Sequence, residues 1–163
     1  MSVKAKATGK IFAIIRIRGR PGFPYWVQDT LKMLRLHKPQ HAVLYKDTDS
    51  LRGMLQKAKD LITWGEIDAP TLALLLKKRG RLTGNKRLTE EYIKQNTKYS
   101  SFEELAEAIV KGEASIKDVP GLKPVFRLHP PRKGYKDVKH HVNEGGDLGY
   151  RGEKINDLLK QMA

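Results

Sequence analysis

Lys46-Asp47-Thr48-Asp49-Ser50-Leu51-Arg52-Gly53-Met54-Leu55-Gln56-Lys57-Ala58 decides the fold, because one segment joins a helix start, an apolar helix face and a glycine. The side-chain oxygens of Asp47, Thr48, Asp49 and Ser50 can accept from the backbone N–H groups that a first helical turn leaves without partners. Leu51, Met54, Leu55, Ala58, Leu61 and Ile62 then recur at three- and four-residue steps, which sets an amphipathic helix from Asp47 to Ile62. Gly53 lies inside it, where glycine costs a helix about 1 kcal/mol relative to alanine. The expectation at Gly53 is therefore a close neighbour, either a packed strand or a sugar-phosphate chain.

Short strands flank this helix: Ala42-Val43-Leu44-Tyr45 before it and Ile62-Thr63-Trp64-Gly65-Glu66-Ile67 after it. Upstream, Ile11-Phe12-Ala13-Ile14-Ile15-Arg16-Ile17-Arg18 is apolar on both faces over its first half, the signature of a central strand, and gains arginines as it exits. Gly19 to Pro24 breaks it, and Val27, Leu31 and Leu34 mark a helix from Tyr25 to Leu36. The result is an α+β chain with a β-α-β-α-β core over residues 11–67, preceded by a basic amino-terminal arm over residues 1–10. Residues 68–163 form a mostly helical, basic extension. Its helices begin at Asp68-Ala69-Pro70-Thr71, at Thr89-Glu90-Glu91 and at the capping box Ser101-Phe102-Glu103-Glu104. Val125 to Leu128 can form a strand, Pro130 to Gly149 reads as irregular, and Ile155, Leu158, Leu159 and Met162 share one face of a closing helix.

The 163 residues carry 32 Lys and Arg against 18 Asp and Glu, a net charge of +14. A charge of this sign and size points to nucleic acid or to an anionic surface. No apolar run approaches the length of a membrane span, so nucleic acid is the expected partner, with no membrane and no small-molecule substrate. The absence of cysteine excludes disulfides, thiol nucleophiles and cysteine-ligated zinc.

The cations fall into separated clusters, which suit an extended polyanion better than a small ligand. Arg16, Arg18 and Arg20 sit at the first strand's exit; Arg35, His37 and Lys38 close the first helix; Arg52 lies on the second. Lys77, Lys78, Arg79, Arg81, Lys86 and Arg87 form the densest run, and Arg127, His129, Arg132, Lys133, Lys136, Lys139, His140 and His141 the last, with Arg151 a further candidate beyond it. Guanidinium forks chelate phosphate and stack on bases, so the arginines are the stronger candidates. Phe23, Tyr25, Tyr135 and Tyr150, flanked by glycine, proline or basic residues, are candidate base-stacking rings, while Trp26 and Trp64 read as core.

Chemistry is sparse. His129, His140, His141 and Asp147 could converge on a metal, but adjacent histidines do not share a helix face and no cofactor is expected. Gly145 to Gly149 lacks the Gly-Lys-Ser/Thr ending of a phosphate loop and reads as a turn. Arg18-Gly19-Arg20-Pro21-Gly22-Phe23 matches the anion cradle of small acylphosphatase-like hydrolases only poorly, so no enzyme is expected.

With Asp47-Thr48, Arg52-Gly53-Met54-Leu55, Lys57-Ala58 and Leu61-Ile62 in place, the segment resembles the second helix of the universal large-subunit ribosomal protein family called L-thirty in bacteria and L-seven in eukaryotes. Residues from Lys10 to Ile67 are similar to its short bacterial form. Gly145-Gly146, Gly149, Arg151, Ile155-Asn156, Leu159 and Met162 resemble the tail of the longer archaeal and eukaryotic form, and the lack of a long basic amino-terminal helix favours the archaeal one. The resemblance implies a ferredoxin-like, three-stranded sheet with the first strand central, and a structural role in the large subunit of the cytoplasmic ribosome. Its implied partners are large-subunit ribosomal RNA, with the small 5S RNA one candidate, and neighbouring ribosomal proteins. A free-standing RNA chaperone of the same fold is the alternative, and a small acyl-phosphate or phosphate-ester hydrolase a remoter one.

Overall fold

The computed structural model describes residues 10–19 and 22–163. The expected amino-terminal arm therefore lies outside the described residues except for Lys10, as do Arg20 and Pro21. Strand β1 (Ile11–Arg16) runs through the middle of the sheet, antiparallel to both β2 (His41–Lys46) and β3 (Ile62–Glu66), with Ile14 opposite Val43 on one side and Trp64 on the other. Because β2 and β3 both oppose β1, they are parallel to each other and need a crossover, which helix α2 (Asp49–Ala58) supplies.

Side chains alternate along β1, and both of its faces are buried. Phe12 and Ile14 pack with Val27, Leu31 and Leu34 around helix α1 (Tyr25–Met33) and with Leu51, Leu55 and Ala58 of α2. Ala13 and Ile15 point the other way, into a cluster built from α3 (Ala69–Arg79), α5 (Phe102–Lys111) and α6 (Ile155–Met162). The extension thus supplies a second helical layer, and the short helix α4 (Glu90–Asn96) adds Ile93 to the same cluster.

The expected three-stranded core is widened at both edges. Strand β4 (Val125–Arg127) pairs antiparallel with β2, placing Arg127 opposite His41, and β5 (Gly149–Tyr150) runs parallel to β3, giving the order β4-β2-β1-β3-β5. Two residues carry no periodicity, so β5 has no sequence signature.

Helix ends follow local hydrogen bonding. Of the four expected capping residues, Thr48 acts, its Oγ1 accepting from the Leu51 N–H at 3.2 Å. Asp47 is instead buried and accepts from Nε and Nη2 of Arg52 at 2.7 and 2.6 Å. Asp68 caps α3 and Thr89 caps α4. At α5 the box is shifted by one: Ser101 accepts from Glu104, but Glu104 accepts from the Ser100 N–H. Helix α1 stops at Met33, three residues early, because Arg35 turns left-handed at φ 63°. The Arg35 N–H then donates to Lys32 O at 3.0 Å and the Leu36 N–H to Leu31 O at 2.9 Å, the Schellman pattern.

Among the described residues nothing packs on Gly53, where a Cβ would meet nothing within 4 Å, so the packed strand expected there is not found. Close approach occurs at Gly65 instead, where a Cβ would stand 2.0 Å from the Gly152 carbonyl oxygen. Gly53→Ala should therefore raise stability by about 1 kcal/mol through helix propensity alone. Gly65→Ala should lower it by about 1–3 kcal/mol or more through overpacking, and thermal unfolding of the two variants checks the contrast.

Candidate functional site

The end of the sheet where β1 exits gathers cations that are far apart in sequence. His41 starts β2 opposite Arg127 of β4, and His37 and Lys38 lie in the connection just before it. The imidazole of His41 is held below its ordinary pKa, first by burial and then by the charges of Arg127, His37, Lys38 and Arg16 around it. His37, Lys38 and Arg127 are exposed. Beside them lies a depression of about 260 Å³ lined by Arg16, Gln28, Leu31, Lys32, Leu36 and His37.

Arg16 contributes here differently from its expected role as a surface contact. It is only 4% exposed, and its Nη1 donates to Leu36 O at 2.8 Å while Nε donates to Arg18 O at 2.9 Å. It therefore braces the two loops that frame the depression. Arg18 lies over the ring of Phe23, with 4.9 Å from the guanidinium carbon to the ring centroid. Arg35 projects from its left-handed position at the end of α1 and is exposed.

The second half of the densest basic run, Arg81 to Arg87, folds as a hairpin absent from the sequence expectations. Arg81 pairs with Arg87, the Leu82 N–H donates to Lys86 O at 2.7 Å, and Gly84 and Asn85 both take positive φ at the tip. The signal was present, because Gly-Asn between two short runs is a hairpin turn pair. Lys77 and Lys78 at the end of α3 are exposed, as are Lys86 and Arg87 on the hairpin, while Arg79 and Arg81 are partly covered. Leu82 bridges to Leu122, which fixes the hairpin beside the segment leading into β4.

The last cluster divides in two. Arg132, Lys133, Lys136 and Lys139 are exposed. Several other candidate contacts also make hydrogen bonds within the protein. The ring nitrogens of His129 lie 2.6 Å from Pro130 O and 2.9 Å from Ala163 O. His140 bonds to Asp137, and His141 Nε2 lies 2.9 Å from Asp60 Oδ1. Arg151 donates from Nε to Thr63 Oγ1 at 2.8 Å and from Nη2 to Asp147 O at 2.7 Å, with Asp147 Oδ1 at 3.2 Å. Asp147 Oδ2 in turn accepts from the N–H groups of Lys136 and Asp137. Arg52 is likewise paired with Asp47. His129, His140, His141 and Asp147 thus each bond to other groups of the protein.

Among the aromatic candidates, Tyr25 is exposed and Phe23 is half-buried beneath Arg18. Tyr135 is partly buried against the α3–α5–α6 cluster, and burial raises its hydroxyl pKa. Tyr150 leans on Phe12 and Trp64 and donates to Glu66 Oε1 at 2.5 Å; burial and that carboxylate push its hydroxyl up to about 12. Trp64 is core as expected. Trp26 is not: Val27, Leu31 and Leu34 carry the buried stripe of α1, which leaves Trp26 on the solvent side and 54% exposed.

A single sheet covered by helices on both faces, with cations from distant segments brought to its edges, is suited to holding a polyanion. Residues 12–62 match the model of the family described as ribosomal protein L30p/L7e. The chain is 58% identical over 152 residues to the large ribosomal subunit protein uL30 of Archaeoglobus fulgidus, covering 93% of this chain and 99% of that protein. It is 55% identical to that of Methanobrevibacter smithii over the same shares, and 56% identical to that of Nanoarchaeum equitans, covering 91% and 96%. The chain belongs to the L30p/L7e family of ribosomal proteins, which is not a family of enzymes.

Arg35 sits where glycine is ordinarily preferred, and a left-handed residue with a Cβ costs about 1–2 kcal/mol. Arg35→Gly should raise the melting temperature by several degrees. The same change should weaken retention on ribosomal RNA, measured by filter binding, if this guanidinium contacts the polyanion.

Proposed function

We propose that this chain is a structural constituent of the large subunit of the cytoplasmic ribosome, binding and stabilising ribosomal RNA by charge neutralisation and shape. The observation that carries this reading is the convergence of His37, Lys38, His41 and Arg127, from one connection and two strands, at one end of the sheet. Cations that depress a neighbouring histidine's pKa form a site whose repulsion an anion relieves. The hairpin's Lys86 and Arg87 and the loop's Arg132, Lys133, Lys136 and Lys139 extend the contact to further phosphates. Large-subunit RNA, with the 5S RNA one candidate, and neighbouring ribosomal proteins are the partners this reading assigns.

The hydrolase alternative loses its physical basis at Arg18, whose guanidinium covers Phe23 rather than framing an anion cradle. Against a free-standing chaperone, cofractionation decides: the tagged protein should sediment with large-subunit particles and stay there in moderate salt. Recovery only from the soluble pool would reject the ribosomal role.

Salt and pH test the site itself. Affinity for a large-subunit RNA fragment should fall steeply with salt, and Arg127→Gln should reduce the logarithmic salt slope by about 1. His41 has a lowered pKa in the free protein and regains protons when phosphates sit among its cationic neighbours. Binding should therefore take up a proton, and affinity should rise as pH falls from 8 toward 6. Binding curves for His41→Asn should lose that part of the pH dependence.

A further inference from the structure

Helix α1 turns an apolar face to solvent. Tyr25 is 75%, Trp26 54% and Met33 64% exposed, so three of the large exposed apolar side chains lie on a nine-residue helix. None of the three belongs to the cluster that the helix buries against the sheet. Tyr25 and Trp26 stand edge to face, with centroids 5.6 Å apart and planes at 82°, so each holds the other in place. Lys32 follows Tyr25 by seven residues and Met33 follows Trp26 by seven, which puts each pair on a common side of the helix. Isolated exposed apolar residues need no explanation, but a preformed aromatic pair extended by Met33 along one helix face marks a contact surface.

The charges around this face decide its occupant. Arg18 lies over Phe23 just before the helix, Lys32 is exposed on it and Arg35 is exposed at its end, against the single carboxylate of Asp29 on the same helix. An apolar protein partner would have to desolvate those cations, whereas a nucleotide has a flat apolar ring for the aromatics and an anionic backbone for the cations.

We propose that Tyr25 and Trp26 form a platform on which an unpaired base of the RNA stacks, its flanking phosphates lying toward Arg18 and Lys32. The proposal rests on the RNA-binding reading and adds to it: this face takes a single-stranded or splayed-out nucleotide, while the basic end of the sheet takes backbone phosphates of either form. A-form duplex RNA keeps its bases stacked on one another, so it has nothing to place on Trp26.

Tryptophan emission tests this directly, because Trp64 is only 5% exposed and supplies a constant background. The full chain would be titrated with a short oligoadenylate and with an A-form duplex of equal length, following both emission and mobility shift. The expected result is quenching of Trp26 emission by the oligoadenylate alone, absent in Trp26→Phe. Trp26→Ala should weaken oligoadenylate binding roughly tenfold, Trp26→Phe much less, and neither should change duplex binding. RNA shifted with Trp26 emission unchanged, and with full affinity in Trp26→Ala, would overturn the platform while leaving RNA binding intact. Failure to shift oligoadenylate, duplex or deproteinised large-subunit RNA would overturn both. A normal RNA shift joined to loss of one neighbouring protein from Trp26→Ala particles would give this face to a protein contact and overturn the proposal.

Discussion

The two-sided burial of β1 is the constraint on which the rest of the structure depends. Phe12 and Ile14 on one face, and Ala13 and Ile15 on the other, all require cover. Helices α1 and α2 can close only one face, because the two short connections that carry them pack on the same side of the sheet. The second face would leave Ala13, Ile15 and Ala42 in water without α3, α5 and α6. That requirement explains why the core continues into a long extension. Asn156 of α6 adds polar ties at the junction: its Oδ1 accepts from the Asp68 N–H at 3.0 Å, and its Nδ2 donates to Glu66 O at 3.2 Å and to Glu153 O at 2.9 Å. The apolar layer supplies most of the driving force, and these directional bonds fix how α6 enters relative to β3.

Polar chemistry does for the loop after β4 what apolar packing does for the helices. The Asp147 carboxylate gathers two backbone N–H groups and the Arg151 guanidinium, and Arg151 also reaches Thr63 on β3. A buried, hydrogen-bonded pair of this kind stabilises little in net terms, yet removing one partner strands the other charge. Its service is to give an irregular, glycine- and proline-rich segment one conformation. Basic residues in such a segment therefore have two fates: some are consumed in holding the loop, and the remainder are displayed by it.

The displayed surface departs from what stability alone would select. Arg35 takes a left-handed backbone that glycine would adopt without strain, and Tyr25, Trp26 and Met33 leave apolar area in water. Burial first, and then the positive charge crowded around it, hold the His41 imidazole below its ordinary pKa. Local rules broken together on neighbouring elements are what a surface shaped for a partner would show.

The sequence by itself determined the central strands and most of the helices. The three- and four-residue spacing of Leu51, Met54, Leu55 and Ala58, the unbroken apolar run from Ile11 to Ile15 and the caps at Thr48, Asp68 and Ser101 act within a few residues, so local patterning suffices to read them. The net charge narrowed the partner to a polyanion or an anionic surface for the same reason, since it is a sum and needs no geometry. Only the tertiary structure decided what depends on distant neighbours. Gly53 and Gly65 are indistinguishable as letters, and the Gly152 carbonyl and the Ile155 side chain leave no room for a Cβ at the second. Trp26 and Trp64 share a side chain, and the sheet buries one while the helix face exposes the other. Arg127 and Arg151 read alike in a basic run. Pairing with β2 leaves the first facing solvent beside His41, whereas Thr63 and Asp147 draw the second inside, because a guanidinium goes wherever folding puts its acceptors.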